Sequence, residues 1–276
     1  MSRVILKAYL IMDLDYIKRT GIAAAYEGGK VLQSYFGQKP EIRKKGAIDL
    51  VTRADTASEK AIIETIRSRF PDHAILAEER GLDTGGYENS RPNRWIVDPL
   101  DGTTNFAHEL GFFSISIAFE HDGEIVIGVV LNPANGELFA AVKGEGAFLN
   151  NRPISVSGAT SVGESLLATG FPSDLPPIFR QLQSRFSACL KTAQGIRRFG
   201  SAALDLCYLA CGRFDGFWEQ DLHPWDTAAG LCIAAEAGAR ITDFSNNSFS
   251  LDKDEILATN GHIHEEMITL LTLKDA

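Results

Sequence analysis

Trp95-Ile96-Val97-Asp98-Pro99-Leu100-Asp101-Gly102-Thr103-Thr104-Asn105-Phe106 decides how this chain is read. The apolar start, Trp95 to Val97, reads as a buried strand that delivers two aspartates, spaced three apart, into a turn. Gly102 and two threonines follow. Acidic side chains at a strand end, with a glycine turn behind them, are a way to hold hard metal ions at a sheet edge. A second acidic turn, Trp225-Asp226, lies far along the chain, and Ala77-Glu78-Glu79 lies just before the first. Together these stretches point to metal-assisted phosphate chemistry.

C-terminal to the stretch come three runs rich in β-branched and aromatic residues, Phe113 to Glu120, Glu124 to Leu131 and Glu137 to Val142. Asp122-Gly123 and Asn135-Gly136 are hairpin turn signals between them. The middle of the chain therefore reads as an antiparallel meander, not a βαβ series. N-terminal to the stretch, a helix is expected from Asp13, with Ile17, Gly21, Ala24, Gly28, Val31 and Tyr35 on one face. Its small residues allow close approach of another element, and Gly37 and Pro40 end it. Lys44-Lys45-Gly46 reads as a loop and Asp49 to Thr52 as a short extended piece. Thr56-Ala57-Ser58-Glu59 matches a capping box before the apolar face Ile62, Ile63, Ile66 and Phe70, closed by Pro71. His73 to Ala77 is a short strand, and Gly81 to Asn93 reads as a loop.

Beyond Ser155, strands and helices alternate more. Ser165 to Gly170, Phe214 to Glu219, Arg240 to Asp243 and Glu255 to Thr259 read as strands. Ile178 to Lys191, Ser201 to Cys211, Trp225 to Ala237 and Ile263 to Leu273 read as helices, with Ser201 as an N-cap and Gly212 as a stop. No repeat, low-complexity tract or linker interrupts the chain. It reads as one α/β unit of α+β type with two interlocked halves, roughly 13–150 and 151–276.

The 276 residues are 45% hydrophobic and 23% charged, enough for a sizeable core. A formal net charge of −9 argues against nonspecific nucleic-acid or anionic-membrane binding. A phosphorylated substrate stays compatible, because bound cations reverse the local field. Cys189, Cys207, Cys211 and Cys232 lack metal-ligand spacing and read as core thiols. The six histidines form no convincing ligand set. The apolar start, Val4 to Met12, is too short to span a bilayer and lacks a cleavage site, so the expectation is a cytoplasmic protein, with Met12 an alternative start.

Glu78, Asp98, Asp101 and Asp226 each lie just after a strand or at the start of a helix. Oxygen-only ligands favour Mg²⁺ or Mn²⁺ over zinc. Carboxylates clustered without cations repel one another, which makes a metal the natural explanation. Gly102-Thr103-Thr104 can cradle phosphate through backbone N–H groups. The Thr103 hydroxyl can orient an attacking water, with Asp55 accepting the hydrogen bond from that hydroxyl and Glu78 as a second acceptor.

The three separated motifs, Glu78-Glu79, Asp98 through Phe106 and Trp225-Asp226-Thr227-Ala228-Ala229-Gly230, resemble the inositol monophosphatase family. These are lithium-sensitive, Mg²⁺-dependent phosphatases related to fructose-1,6-bisphosphatase. The resemblance runs from about Asp13 to the C-terminus and implies a layered α-β-α-β-α sandwich, usually dimeric. It implies that Glu78, Asp98 and the Leu100 carbonyl hold a first metal, and that Asp98, Asp101 and Asp226 hold a second. Glu78 would also touch a third, weaker ion. It further implies phosphate on Gly102 and Thr103, a nucleophilic water positioned by Thr103 with Asp55, and a loop lysine, Lys44, near the site. The polyol would meet Asp101, Ala202, Glu219 and Asp226. The implied reaction is in-line attack of metal-activated water on myo-inositol monophosphate, without a phosphoenzyme. The same chemistry on fructose 1,6-bisphosphate, 3′-phosphoadenosine 5′-phosphate or histidinol phosphate is the alternative. Thr104, where nucleotide phosphatases of the superfamily typically carry lysine, leans towards inositol phosphate. A regulatory binding protein that keeps the fold without turnover is the reading from another class, and it expects a lost metal ligand.

Overall fold

The computed structural model describes residues 12–38, 53–84, 93–171 and 179–272. Lys44, the extended piece expected at 49–52, residues 1–11 and residues 85–92 of the expected loop lie outside the described residues.

The first helix, α1 (Leu14–Tyr35), starts as expected, with the Asp13 carboxylate accepting from the N–H of Tyr16. Ile17, Gly21, Ala24 and Gly28 are buried, whereas Val31 is half-buried and Tyr35 exposed. Leu32 takes over the buried position in the last turns. The small residues do allow close packing: a Cβ on Gly28 would lie 2.8 Å from both Ile62 and Ser58 of α2 (Arg53–Arg69). That second helix corrects the expected capping box. Thr56 lies inside it, and Glu59 points away from the helix start, accepting the N–H of Glu79 and pairing with Arg80.

The first sheet has the strand order β2-β1-β3-β4-β5-β6-β7-β8. Its strands are β1 (Ala74–Ala77), β2 (Gly81–Asp83), β3 (Asn93–Asp101), β4 (Ser114–His121), β5 (Glu124–Asn132), β6 (Glu137–Val142), β7 (Gly146–Leu149) and β8 (Arg152–Ile154). Among these strands only β1 and β3 pair in parallel; from β3 onward the sheet is the expected meander, extended by two strands not expected from sequence. β2 also corrects the loop reading: Gly81 to Asp83 folds back antiparallel onto β1.

The second sheet has the order β10-β9-β11-β13-β12, with β9 (Leu166–Thr169), β10 (Gly195–Arg197), β11 (Gly216–Gln220), β12 (Arg240–Thr242) and β13 (Glu255–Thr259). Side chains of β3 alternate between two apolar layers, as the period of a strand requires. Trp95 and Val97 join the core under α1 and α2, while Ile96 joins the core on the other face. That second core contains α5 (Ala202–Ala210) and α6 (Pro224–Glu236), packed between the two sheets. Residues of the second sheet alternate in turn: Phe217 faces α5 and α6, and Trp218 faces a third core with Cys189 of α4 (Phe179–Thr192) and Met267 of α7 (His264–Leu271). The order of layers is α-β-α-β-α, as expected. The short helix α3 (Thr103–Ala107) stands apart from these layers, just past the end of β3.

Candidate active site

Asp98 and Asp101 are three apart, so a regular strand would aim them at opposite faces. The structure resolves this with a bulge. Asp98 pairs with Ser116 and Asp101 with Ser114, so β3 has one residue more than β4 across this interval. Pro99, which has no N–H to donate, sits in the irregularity. The Asp98 carboxylate accepts the N–H of Leu100 at 2.9 Å. The shift in phase lets Asp98 and Asp101 act on each other and on Glu78 and Asp226.

Gly102 ends the strand with φ of 95°, a left-handed conformation that favours glycine. A Cβ there would meet the carbonyls of Phe112 and Gly200 at 3.1 and 3.2 Å. The chain then enters α3, with Thr103 as its first residue. Asn105 ties this turn to the rest of the molecule, its amide donating to the carbonyls of Phe112 and Phe199.

Glu78 follows β1, which runs parallel to β3, so both strands present acids at the same sheet edge. Its carboxyl is pushed up to about 7, by burial first and then by Asp226, Glu79 and Asp101. Asp55, in the first turn of α2, is 2% exposed and pushed up to about 8 by burial, then by Glu78, Glu79 and Glu59. Carboxylate oxygens of Asp55, Glu78 and Glu79 all lie within 4.8 Å of one another, close enough to hold one metal ion. Asp98 is buried, and its carboxyl is raised by burial and by Glu78, Asp101, Asp226 and Asp55.

Asp101 is held differently. Its Oδ2 accepts from the Ser201 hydroxyl at 2.5 Å, the Ala203 N–H at 2.9 Å and the Ser114 hydroxyl at 3.3 Å. These donors oppose burial, which still raises the carboxyl to about 7. Asp226 lies in the first turn of α6 and accepts the His223 N–H at 2.6 Å. Thus α2, α5 and α6 bring their N-termini, the positive ends of their dipoles, towards one group of acids. Glu219, near the end of β11, borders the group from the second sheet. Burial, then Asp226 and Asp101, push it up to about 8.

The site residues read from sequence therefore converge: Asp55, Glu78, Asp98, Asp101 and Asp226 form one electrostatically linked group, with Glu219, Ala202, Gly102 and Thr103 around it. One expected pairing differs. The Thr103 hydroxyl has a single proton, and it donates to the Leu100 carbonyl at 3.0 Å, not to Asp55. Residues missed from sequence are Ser114, Ser201 as a partner of Asp101, Asn105 and Glu59. Glu59 braces the Glu78-Glu79 turn from behind by accepting the Glu79 N–H at 3.0 Å. Ser201 carried a signal as a helix cap; nothing local marks the other three.

Residues 13–274 match the sequence model of the inositol monophosphatase family. The chain belongs to the inositol monophosphatase family. It is 45% identical over 256 residues to an inositol-1-monophosphatase of Synechocystis sp., covering 92% of this chain and 88% of the relative. It is 41% identical over 249 residues to the Nus factor SuhB of Haemophilus influenzae, covering 90% and 92%. Among solved structures, the extragenic suppressor protein SuhB of Bartonella henselae superimposes with a TM-score of 0.88 at 38% identity, over 94% of this chain and all of that one. Membership makes this an enzyme of a metal-dependent phosphatase family. The acidic group suits that: it offers oxygen donors only, and their mutual repulsion is relieved by a cation. No helix among the described residues is long and apolar enough to cross a membrane.

Proposed function

We propose that this chain is a Mg²⁺-dependent phosphomonoesterase that hydrolyses myo-inositol monophosphate to inositol and phosphate. The observation that carries the reading is the convergence of Asp55, Glu78, Asp98, Asp101 and Asp226 beside the backbone of Gly102 and Thr103. Each of these acids is raised above its ordinary range by burial, and all but Asp226 by neighbouring acids as well.

In this reading residues 13–150 supply the metal and phosphate motifs, and residues 151–276 supply the last metal ligand and the polyol contacts. Glu78, Asp98 and the Leu100 carbonyl hold a first divalent cation, and Asp98, Asp101 and Asp226 hold a second. Bound cations supply positive charge to the phosphate and acidity to the nucleophilic water. The N–H groups of Gly102 and Thr103 bind phosphate oxygens. Thr103 turns its hydroxyl from Leu100 towards Asp55 to orient the water, with Glu78 as a second acceptor. Glu219, Asp101, Asp226 and the Ala202 backbone face the polyol, and the family resemblance adds Lys44 as a loop lysine near the site. Most of the rate gain comes from positioning and charge neutralisation. We further read the enzyme as a cytoplasmic homodimer inhibited by lithium.

The test is phosphate release with Mg²⁺ from inositol 1-phosphate, fructose 1,6-bisphosphate, 3′-phosphoadenosine 5′-phosphate and histidinol phosphate. Inositol 1-phosphate is expected to have the highest kcat/KM. Turnover of none of them sinks the phosphatase reading, and preference for another of them moves the substrate while keeping the chemistry. The regulatory reading without turnover loses support because every acid it expects to be lost is present.

A further inference from the structure

One buried acid takes no part in the site as described. Asp205 is 1% exposed, and no protein group among the described residues lies within hydrogen-bond reach of either carboxyl oxygen. It sits in α5, where Ala202 through Cys207, Leu209 and Ala210 are all buried. A carboxyl group in such surroundings is costly without a donor, and the helix around it is otherwise lined by Ala, Leu and Cys. The groups that act on it from outside the helix are Glu219, Asp101 and Arg198, with Glu219 foremost. Burial, Glu219 and Asp101 push its carboxyl well above the ordinary range, which favours the protonated form, a donor.

Glu219 is the natural recipient. Among the described residues no side chain or backbone N–H donates to its carboxyl. Its carboxyl lies against Gly170, where a Cβ would come within 1.9 Å of Oε1. Gly170 thus forms a wall for this carboxyl, and Glu219, two residues along β11 from Phe217, shares the face that packs against α5, the helix that buries Asp205.

We propose that Asp205 is a positioning residue for the polyol end of the site: its carboxyl holds Glu219, through one buried water, in the orientation that meets a substrate hydroxyl. The proposal rests on the assignment of Glu219 to the polyol. It accounts for an acid kept where an apolar residue would pack better, a conflict that marks functional positions.

The experiment compares kcat/KM of the full chain with Mg²⁺ on inositol 1-phosphate and on 4-nitrophenyl phosphate, which has no polyol. In Asp205→Leu the inositol-to-aryl ratio falls about tenfold, mainly through KM for inositol 1-phosphate. Asp205→Asn keeps shape and a donor, and holds the ratio within about threefold of the parent. In a Glu219→Gln background, Asp205→Leu has no further effect on the ratio, the signature of one route of action. Its Tm rises, because an unpartnered carboxyl gives way to an apolar group. Should Asp205→Leu not fold, Asp205→Ala is measured in the same way. A ratio within about twofold of the parent, or additive effects in the double variant, overturns the proposal. If the parent cleaves the aryl ester but not inositol 1-phosphate, the substrate assignment fails by itself. The ratio is then read with whichever phosphate of the panel the parent cleaves best.

Discussion

The two ends of the site bury their acids in different ways. At the β3 end, Asp101 has three donors, Asp98 has the Leu100 N–H and Asp226 has the His223 N–H. Around α5, Glu219 and Asp205 have none among the described residues. Donors favour the charged form of a carboxyl and fix its lone pairs, which prepares the first group for cations. Glu219, buried without donors, keeps lone pairs free to accept from hydroxyl groups, which prepares this end for a polyol. The contrast separates the chemistry of the reaction from the choice of substrate.

The largest effect expected is from Asp98→Asn, which takes charge from both proposed cations. Several kcal/mol of charge stabilisation is at stake, or about a thousandfold or more in kcat/KM on every substrate. Because the variant also removes repulsion from a buried cluster, its Tm in chelator stays at or above that of the parent. Retained turnover would break the division at its metal end.

Glu219→Gln breaks it at the other end. Loss of a hydrogen bond to a charged group, about 1.5–3 kcal/mol, raises KM for inositol 1-phosphate by about tenfold to a hundredfold. Hydrolysis of 4-nitrophenyl phosphate falls far less. Equal losses on both substrates would show that Glu219 serves the phosphate end.

A third expectation concerns pH. An acid whose pKa is higher in the folded chain than in the unfolded one binds more protons when folded, so stability declines as pH rises between the two values. For Asp55 the window runs from 3.8 to about 8, and for Glu219 from 4.5 to about 8. In chelator, Tm is therefore expected to drop steadily across this window and to level off above it. Added Mg²⁺ recovers most at the alkaline end, where protons no longer compete for the carboxylates. A chelated protein whose Tm climbs over that range would contradict the raised values.

The smallest change expected is from Ser201→Ala. It removes one of three donors to Asp101 and the cap of α5, each contributing about 1 kcal/mol. Activity on both substrates falls several-fold and Tm drops modestly; a change in substrate ratio instead would move Ser201 to the polyol end.

Much of the metal end was legible because its parts are close in sequence. Asp98 through Thr103 places two acids, a proline bulge and a left-handed glycine in a single turn, and the helix at Trp225-Asp226 announces its own start. Glu59 misled because its local pattern, a capping box, competes with a partner twenty residues away that only the fold supplies. Asp205 was silent for a related reason: an acid in the first turn of a helix is ordinary, and only burial by the opposing sheet makes it unusual. Strands β7 and β8 are short and joined by Asn150-Asn151, both at positive φ, a hairpin turn without the glycine that marks the other two. Lys44, the loop lysine that the resemblance implies near the site, lies outside the described residues.

The bonds from Asp101 to Ser201 and Ala203 span about a hundred residues of chain, and Asn105 reaches Phe199 over a similar distance. During synthesis, the turn after β3 leaves the ribosome long before α5 exists to hold it. Until then Asp101 lacks two of its three donors, and Asp226 does not yet exist. In the proposed reading the first cation set is complete once Leu100 is made, whereas the second waits for Asp226. The growing polypeptide would thus gain its two cation sites one after the other, the second only when most of the chain is made.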